Sequence, residues 1–260
     1  MNEESAAPVY FHSRLIRAQN LFGEVREAFW KQEPQVRTVL EGLTCPMIFL
    51  VPLFISEGYF SDNTIPRELG FGSPGENGVR MVREAGGQER RYCRAVGTHP
   101  RMTDVVLARA RSIVLEFPFP RPPLATDTTL LLAGHGTLQD PKSRESIEQQ
   151  AARLRQKAEY AAVHAMFLEE EPRVKRWPEL VTTRNVVVVP FFISEGMHTA
   201  EDLPVLLGEP ENLVRGRLAR RQPGWRNPTE KHGRLVWLSP SVGKDNLVSE
   251  IILERVRESS

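Results

Sequence analysis

An internal repeat constrains this chain more than any other feature of its sequence. The segment FLVPLFISEGYFSDNTIPRELG, residues 49–70, aligns without a gap with VVVPFFISEGMHTAEDLPVLLG, residues 187–208, at an offset of 138 residues. The same offset aligns residues 25–36 with residues 163–174. Separate segments that match at one constant offset indicate two copies of a single structural unit.

The repeat continues to the end of the chain and predicts where the copies divide. Residues 97–110 align with residues 243–256 at an offset of 146, so the second copy has eight more residues in one loop. Between the copies lies EFPFPRPPLATD, residues 116–127, whose four prolines disfavour both helix and central strand. We therefore predict a first lobe over residues 1–115, a proline-rich linker, and a second lobe over residues 128–260.

The second copy alternates between strand and helix patterns. The strand segments are nearly continuous in hydrophobicity, as in parallel sheets covered on both faces, and each is followed by a helical pattern. The predicted strands are 128–134, 161–169, 185–193 and 234–240, and the predicted helices are 141–159, 171–181, about 200–208, and 244–257. Such alternation predicts an α/β fold with two Rossmann-like lobes, each a mostly parallel, right-handed doubly wound sheet.

The first copy is shorter than the second at its start. The partner of residues 134–136 would fall before residue 1 at the repeat offset. We therefore predict that the first lobe lacks its first strand and begins with a helix at about residues 8–20.

Three polar side chains of the second copy follow predicted strands. His135 stands between two glycines after the first strand, Glu169 follows the second, and His198 lies a few residues beyond the third. Ligands of open parallel sheets bind beyond the carboxyl ends of the strands, so these side chains are expected to meet there. Two imidazoles and a carboxylate suit a divalent borderline metal ion. The alternative for Glu169 is a solvated carboxylate, because an acidic run is usually an exposed face. The same run makes Glu170 and Glu171 rivals to Glu169.

The first copy serves as an internal control for these candidates. It keeps the FISEG segment, but Lys31 stands at the position of Glu169 and Phe60 at the position of His198. The shared residues therefore resemble scaffold, whereas the three candidate ligands occur only in the second copy.

A basic stretch of the second copy is the candidate substrate-binding region. Arg215, Arg217, Arg220 and Arg221 follow the third predicted strand, and a basic loop also occupies this place in the first copy. Arginine binds carboxylates and phosphates in bidentate pairs, which favours a polyanionic substrate. The alternative is an ordinary solubilising loop.

Composition excludes several classes of protein. With 34 basic and 33 acidic residues, the chain has no global charge bias toward nucleic acid or membranes. Its apolar runs are too short to span a bilayer and its first residues lack a signal-peptide layout, so we expect a cytoplasmic protein. Its two cysteines, Cys45 and Cys93, are too few for a disulfide framework or an iron–sulfur site.

The segments LLLAGHGTLQDP, FLEEEP and VVVVPFFISEGMHTAEDLP together resemble the CbiX/SirB-type sirohydrochlorin chelatases, class II tetrapyrrole chelatases, in their long two-repeat form. The resemblance implies a chelatase fold and a lyase that inserts a divalent metal, with cobalt favoured over iron, during cobalamin or siroheme synthesis. It implies catalytic and metal-binding roles for His135, Glu169 and His198. The tetrapyrrole and the Co2+ or Fe2+ ion are then substrates, and no prosthetic group or iron–sulfur cluster is expected.

Two other functions remain open. A non-catalytic carrier of tetrapyrrole or metal would fit a truncated first lobe that binds but does not support turnover. A phosphate-handling α/β enzyme with His135 as nucleophile fits less well, since no arginine precedes that histidine in the turn. We expect no nucleic-acid or membrane partner, and a homo-oligomer is compatible with the sequence.

Overall fold

The computed structural model of the protein describes residues 3–137 and 141–260, which form two compact units. Unit 1 contains the residues up to Met102 together with Lys244–Ser260, and unit 2 contains Thr103–Gly243. The described residues include no helix that is both long and apolar enough to pass through a membrane.

Unit 1 contains a three-stranded sheet with helices around it. Its elements are α1 (Glu3–Arg17), α2 (Val36–Glu41), β1 (Met47–Leu50), α3 (Ile65–Glu68), β2 (Arg80–Arg83) and β3 (Glu89–Tyr92). The strand order is β1-β3-β2, with β1 parallel and β2 antiparallel to β3. A helix from the end of the chain, described below, completes the unit.

Unit 2 contains a five-stranded sheet. Its elements are α4 (Met102–Glu116), β4 (Thr128–Gly134), α5 (Pro141–Lys157), β5 (Ala162–Phe167), α6 (Trp177–Leu180), β6 (Asn185–Pro190), α7 (Leu203–Leu206), α8 (Glu211–Leu218), β7 (Thr229–Lys231) and β8 (Arg234–Leu238). The order is β5-β4-β6-β8-β7, and every pair is parallel except β7 with β8. The mostly parallel α/β architecture confirms the predicted fold class.

Strand β4 lies in the middle of its sheet, and all seven of its residues are buried. It bonds to β5 on one side and to β6 on the other, with Leu131 opposite His164 and Val188. Its side chains join the core of unit 2 with residues such as Trp177 and Val236. The continuous hydrophobicity of this segment therefore reflects burial on both faces of the sheet.

The sheet of unit 1 is shorter than predicted. Its strands correspond to β6, β7 and β8, so the first strand is absent from the described residues, as expected, but the second is absent as well. Residues 24–29, the counterparts of β5, form only a single bridge between Phe29 and Gln35. Because β5 bonds only to β4 within its sheet, a chain without the first strand leaves the second without a partner.

The two repeats still share their local structure. After the second-strand position, the Phe29 N–H donates to the Pro34 carbonyl at 2.9 Å, and the Phe167 N–H donates to the Pro172 carbonyl at 3.0 Å. This turn means that Pro172 precedes the short helix α6 and does not open it, which corrects the predicted helix over 171–181.

The compact units divide the chain at different places from the repeats. The last helix, α9 (Asn246–Glu258), belongs to unit 1 although it ends the second repeat, and α4 lies almost entirely in unit 2 although it ends the first. Helix α9 packs beside α1, where His12 Nδ1 lies 2.8 Å from the Ser249 hydroxyl. The predicted linker has no α-helix or strand among its residues 117–127.

Candidate functional site

His135 directly follows β4 at the carboxyl edge of the unit 2 sheet. Its carbonyl accepts hydrogen bonds from the N–H groups of Leu168 and Glu169, at 3.0 and 3.1 Å. The backbone after β4 is thus joined to the backbone after β5, and the side chains of His135 and Glu169 are brought to one place. Residues 138–140 of the GHGTLQDP motif lie outside the described residues.

The glycines on either side of His135 are closely packed. A Cβ at Gly134 would lie 2.0 Å from Cδ1 of Ile147 in α5. Gly136 has φ +64°, and a Cβ there would lie 2.8 Å from the Cβ of Phe167 and 2.7 Å from Oε1 of Glu170. At Gly136 both the backbone conformation and the Cβ of Phe167 disfavour any side chain, whereas a side chain at Gly134 would require Ile147 to move.

Glu169 is the member of the acidic run that faces His135. Its Oε1 lies 3.7 Å from His135 Nε2, and its side chain is 56% exposed. Glu170 is largely buried and lies 3.6 Å from Arg144, whereas Glu171 is exposed and pairs with Arg176. Of the three carboxylates, Glu169 is therefore the one that lies beside His135.

His198 begins a π-helical turn, His198–Asp202, in the loop after β6. That loop is fastened by the Glu195 carboxylate, which accepts the Ser241 N–H at 2.6 Å, and by the Thr199 hydroxyl, which accepts the Gly196 N–H at 2.9 Å. His198 is thereby held at the same edge of the sheet as His135.

The two imidazole rings are neighbours in perpendicular orientation. Their centroids lie 4.9 Å apart, with an angle of 89° between the planes. Two ligands that bind one ion at about 2.0–2.2 Å lie roughly 3–3.5 Å from each other, so the 3.7 Å separation of His135 and Glu169 is near that range. As the side chains stand, no group of three His, Cys, Asp or Glu residues within 3–137 and 141–260 is arranged as a metal site.

The hydrogen bonds of the two rings fix which nitrogen is available. His135 Nδ1 lies 2.8 Å from the Gly136 carbonyl oxygen, and His198 Nδ1 lies 2.7 Å from Oδ2 of Asp202. Carbonyl and carboxylate oxygens accept hydrogen bonds, so these contacts favour the tautomer of the neutral ring that has its proton on Nδ1 and its lone pair on Nε2. Metal-binding histidines are commonly oriented in this manner.

The corresponding positions of the first repeat also come together, but with different chemistry. The ammonium of Lys31 lies 4.9 Å from the ring centroid of Phe60, which is a cation–π contact. In unit 2 the same two positions, Glu169 and His198, each lie beside His135, and only this unit has carboxylate and imidazole groups there.

The four predicted substrate-binding arginines differ in exposure. Arg215 is 64% exposed and pairs with Glu201 and Glu211, and Arg220 and Arg221 are exposed. Arg217 is buried in unit 2, where it bonds to Glu209 at 2.9 Å and to the Gly224 carbonyl at 2.8 Å. Its guanidinium is enclosed and cannot reach a substrate. The prediction of Arg217 as a substrate-binding residue is therefore corrected.

The basic segments are also more ordered than predicted. Arg215 and Arg217 lie on α8, and the basic segment of the first repeat forms a hairpin of β2 and β3. Arginines of this hairpin pair with carboxylates, as Arg83 and Arg91 do with Glu89. Most of this positive charge is thus balanced locally.

The two cysteines are both free. Burial raises the pKa of the Cys93 thiol to about 11, so this side chain is held as the neutral thiol at physiological pH. Cys45 is partly exposed.

One residue of the site escaped the sequence reasoning. Asp202 lies four residues after His198, a spacing that brings side chains together on a helical turn and was visible in the sequence. Glu195 was assigned to the scaffold because Glu57 matches it in the first repeat, and its contact with Ser241 is consistent with that role.

Comparison with known sequences places the chain in a family. The family model described as CbiX matches residues 1–113 and 129–259. A curated protein of Halobacterium salinarum, named as a probable sirohydrochlorin cobaltochelatase, is 36% identical over 100% of this chain and 88% of its own length. The sirohydrochlorin cobaltochelatase of Methanopyrus kandleri is 30% identical over half of this chain and 95% of its own length.

A solved structure matches nearly the whole chain. It belongs to a multi-domain protein of Deinococcus radiodurans that is described as structurally similar to chelatases. The match has a TM-score of 0.75 and 29% identity, and covers 97% of this chain. The chain spans about half the length of that protein, 51%.

Proposed function

The chain belongs to the CbiX family, and on this premise we propose that it is a sirohydrochlorin chelatase that inserts a divalent metal ion into its tetrapyrrole substrate. Cobalt is the first candidate, because curated relatives over the whole chain and over half of it are both named cobaltochelatases. Iron is the second. The product would serve cobalamin or siroheme synthesis.

One observation carries the proposal. Two adjacent imidazoles, His135 and His198, both have Nδ1 within hydrogen-bond distance of an oxygen acceptor, which leaves Nε2 as the metal-binding atom, and the Glu169 carboxylate lies beside the first of them. Imidazole nitrogen suits Co2+ and Fe2+, and exposed ligands can release an ion to a competing macrocycle. The site is therefore suited to hold a metal ion as a substrate and then give it up.

The reaction exchanges two protons for one metal ion. Sirohydrochlorin binds M2+ through its four pyrrole nitrogens and releases the two N–H protons, so a base near the nitrogens speeds the reaction. We assign His135 and His198 to metal delivery through Nε2. Glu169 completes the metal site or accepts a proton, for which its 56% exposure provides an exit to solvent.

A polyanionic substrate is expected to bind to positively charged side chains of the protein. Arg220 and Arg221 are exposed, and Arg215 is 64% exposed although it pairs with two glutamates. We propose that these three arginines bind substrate carboxylates, which would replace the glutamates as partners of Arg215.

The test is a spectroscopic assay with purified protein, Co2+ and sirohydrochlorin. We expect the absorption of the metal-free macrocycle to decay faster with protein than without it, and we expect His135→Ala and His198→Ala to abolish the acceleration. His232→Asn is the matched control, because His232 is an exposed histidine of the same unit with φ 50°, which asparagine tolerates. Unchanged rates in both alanine variants would show that the site is assigned wrongly.

A carrier is the second candidate, and the incomplete sheet of unit 1 favours it. A carrier would bind sirohydrochlorin or Co2+ at equilibrium and leave the insertion rate at its uncatalysed value. Parallel assays with Co2+, Fe2+ and Ni2+ would also identify the metal that is inserted.

A further inference from the structure

Arg144 lies in the first turn of α5 and contacts the segment that carries Glu169. Its Nη1 donates a hydrogen bond to the Glu171 carbonyl at 3.0 Å. The carbon at the centre of its guanidinium lies 5.3 Å from the centroid of the Phe167 ring, which is a cation–π contact. One side chain of α5 therefore contacts the chain on both sides of Glu169, two residues before it and two residues after it.

The carboxylate of Glu170 is the next contact of Arg144. Its Oε2 lies 3.6 Å from Arg144 Nη1, and its side chain is only 9% exposed. Its Oε1 has no hydrogen-bond partner in the described part of the chain. A buried carboxylate that is not fully hydrogen-bonded is costly, so Glu170 depends on the positive charge beside it.

Glu170 also touches the turn that carries His135. A Cβ at Gly136 would lie 2.7 Å from Oε1 and 2.8 Å from Cγ of Glu170, so this side chain packs against the backbone of the turn. Gly136 directly follows His135, and its carbonyl oxygen lies 2.8 Å from His135 Nδ1. Arg144 thus contacts the Glu169 segment directly and reaches the His135 turn through Glu170.

The first repeat forms the turn after the second-strand position without an arginine. At the repeat offset of 138, Ala6 stands in place of Arg144. Gln32 likewise stands in place of Glu170. The backbone bond that closes this turn is nevertheless 2.9 Å long in the first repeat and 3.0 Å in the second. The turn therefore folds without this arginine, and Arg144 and Glu170 occur together in the repeat that has the proposed metal ligands.

The other contact of Arg144 is an ion pair with Glu148, one turn later in α5. The two side chains approach to 2.8 Å and are 40% and 48% exposed. Exposed pairs of this kind contribute little to stability. The contacts of Arg144 with residues 167–171 are therefore the ones that distinguish it from an ordinary surface arginine.

We propose that Arg144 is a positioning residue of the candidate metal site. It holds Glu169 in place through the residues on either side, and it holds the His135 turn in place through Glu170. This inference rests on the proposed function, which assigns Glu169 and His135 to the metal ion. Groups that orient metal ligands typically contribute 10- to 100-fold to metal affinity or activity.

The first experiment measures Co2+ binding by the full-length protein without tetrapyrrole, by titration calorimetry. Arg144→Met keeps a long unbranched side chain but removes the charge and the donors. We expect it to weaken Co2+ binding by about 10- to 100-fold. The matched control is Arg176→Met, because Arg176 is half-exposed and pairs with the side chains of Glu171 and Glu179. This control should bind Co2+ as tightly as the wild type.

A double variant separates the contacts of Arg144 from its charge. In Arg144→Met alone, the Glu170 carboxylate loses the cation beside it, so we also expect a lower Tm. Adding Glu170→Gln removes the buried charge and introduces the residue type of the first repeat. The Tm should then return toward the wild-type value, while Co2+ binding stays weak because the bond to the Glu171 carbonyl is still missing. Recovery of both would mean that Arg144 only neutralises Glu170, and the positioning role would be wrong.

The conservative variant Arg144→Lys provides a second test, which also serves if Arg144→Met does not fold. Lysine keeps the positive charge but lacks the planar group that stacks on a ring and binds two acceptors at once. We expect a Tm near that of the wild type and Co2+ binding that is still weakened. Co2+ binding as tight as in the wild type would show that charge alone suffices and would overturn the proposal.

Hydrogen–deuterium exchange gives a readout that requires no metal ion. The N–H groups of Leu168 and Glu169 both donate to the His135 carbonyl, so their exchange reports whether the two segments stay joined. Exchange at these amides should be about two- to tenfold faster in Arg144→Met, the effect of one lost hydrogen bond. It should be unchanged in Arg176→Met. Equal exchange in the wild type and Arg144→Met would contradict the proposal.

The results distinguish this inference from the proposed function. If His135→Ala and His198→Ala bind Co2+ as tightly as the wild type, the metal site itself is assigned wrongly. If these two variants lose Co2+ binding and Arg144→Met does not, only the role of Arg144 is wrong. A higher KM for sirohydrochlorin in Arg144→Met, with unchanged Co2+ binding, would make Arg144 a substrate-binding residue and would likewise refute the positioning role.

Discussion

The two repeats keep one scaffold and differ in what it presents. In unit 2, Glu169 and His198 each lie beside His135, and in unit 1 the matching residues Lys31 and Phe60 contact each other. The scaffold is shared, but the proposed metal ligands are confined to one copy. A residue position in this fold can therefore be kept while its side-chain chemistry changes. Substitutions at matched positions of the two repeats can test this.

After the two histidines, the largest expected effect is at Glu169. Glu169→Ala should lower the rate of Co2+ insertion by about 10²–10⁴-fold, because a general base or a metal ligand is lost. The control is Glu171→Ala, an exposed carboxylate of the same run that pairs with Arg176. The absorbance assay compares both with wild type, and equal rates for the two variants would refute the assignment of Glu169.

Asp202 should have the next largest effect. Asp202→Asn keeps the side-chain shape but weakens the acceptor of the His198 Nδ1–H, and such partners typically contribute 10- to 100-fold to metal affinity or activity. The matched position of the first repeat is Thr64, whose buried hydroxyl has no hydrogen-bond partner among the described residues. Thr64→Val should leave Co2+ binding and turnover unchanged. A loss in both variants would indicate general damage to the fold.

Glu195 and its counterpart Glu57 test whether the residues shared by the two repeats stabilise the fold. Glu195 accepts the Ser241 N–H, and Glu57 accepts hydrogen bonds from Arg94 and Thr98. Replacing either by alanine should cost about 1–3 kcal/mol in the free energy of unfolding. Only Glu195→Ala should also lower turnover, by a few fold, because only its loop carries His198. Denaturant titration measures the free energy of unfolding, and the chelatase assay measures turnover. Equal losses of turnover in the two variants would contradict the expectation that only the loop of Glu195 affects the reaction.

The smallest effect concerns stability in acid. Burial, and then the charge of Arg255, lowers the pKa of His99 in unit 1, and burial, then Arg155, lowers the pKa of His164 in unit 2. The lowered pKa contributes stability that is present above the unfolded value near 6.5 and is lost as the pH falls through the folded value.

The more buried His99 should dominate this acid sensitivity, since its side chain is only 7% exposed. His99→Gln should reduce the loss of Tm between pH 7.5 and pH 5 by up to about 4 °C, and His164→Gln by less. Thermal unfolding at the two pH values measures both. A larger effect of His164→Gln than of His99→Gln would mean that unit 2 is the acid-sensitive part.

Local patterns predicted much of unit 2. The strands β4, β5, β6 and β8 and the helix α5 lie where hydrophobic periodicity placed them, because each is decided mainly by its own residues. The comparison of repeats also selected His135, Glu169 and His198, which the structure brings together, although their roles remain a proposal.

The features that escaped prediction depend on distant partners. Residues 24–29 match β5 in sequence, but they form no strand, because no strand lies beside them among the described residues. The burial of Arg217 depends on Glu209 and on the turn at Gly224, which no periodicity reveals. The membership of α9 in unit 1 likewise depends on packing against α1, at the other end of the chain.

The position of α9 has a consequence for the order in which the protein folds. Unit 1 contains the first hundred residues, yet its last helix comes from the end of the chain, and the bond between His12 and Ser249 spans 237 residues. During synthesis, unit 2 can assemble once Gly243 has emerged, whereas unit 1 stays open until the last residues are made. Contacts across so long a separation slow folding, so the part of the protein that is synthesised first should be the part that is completed last.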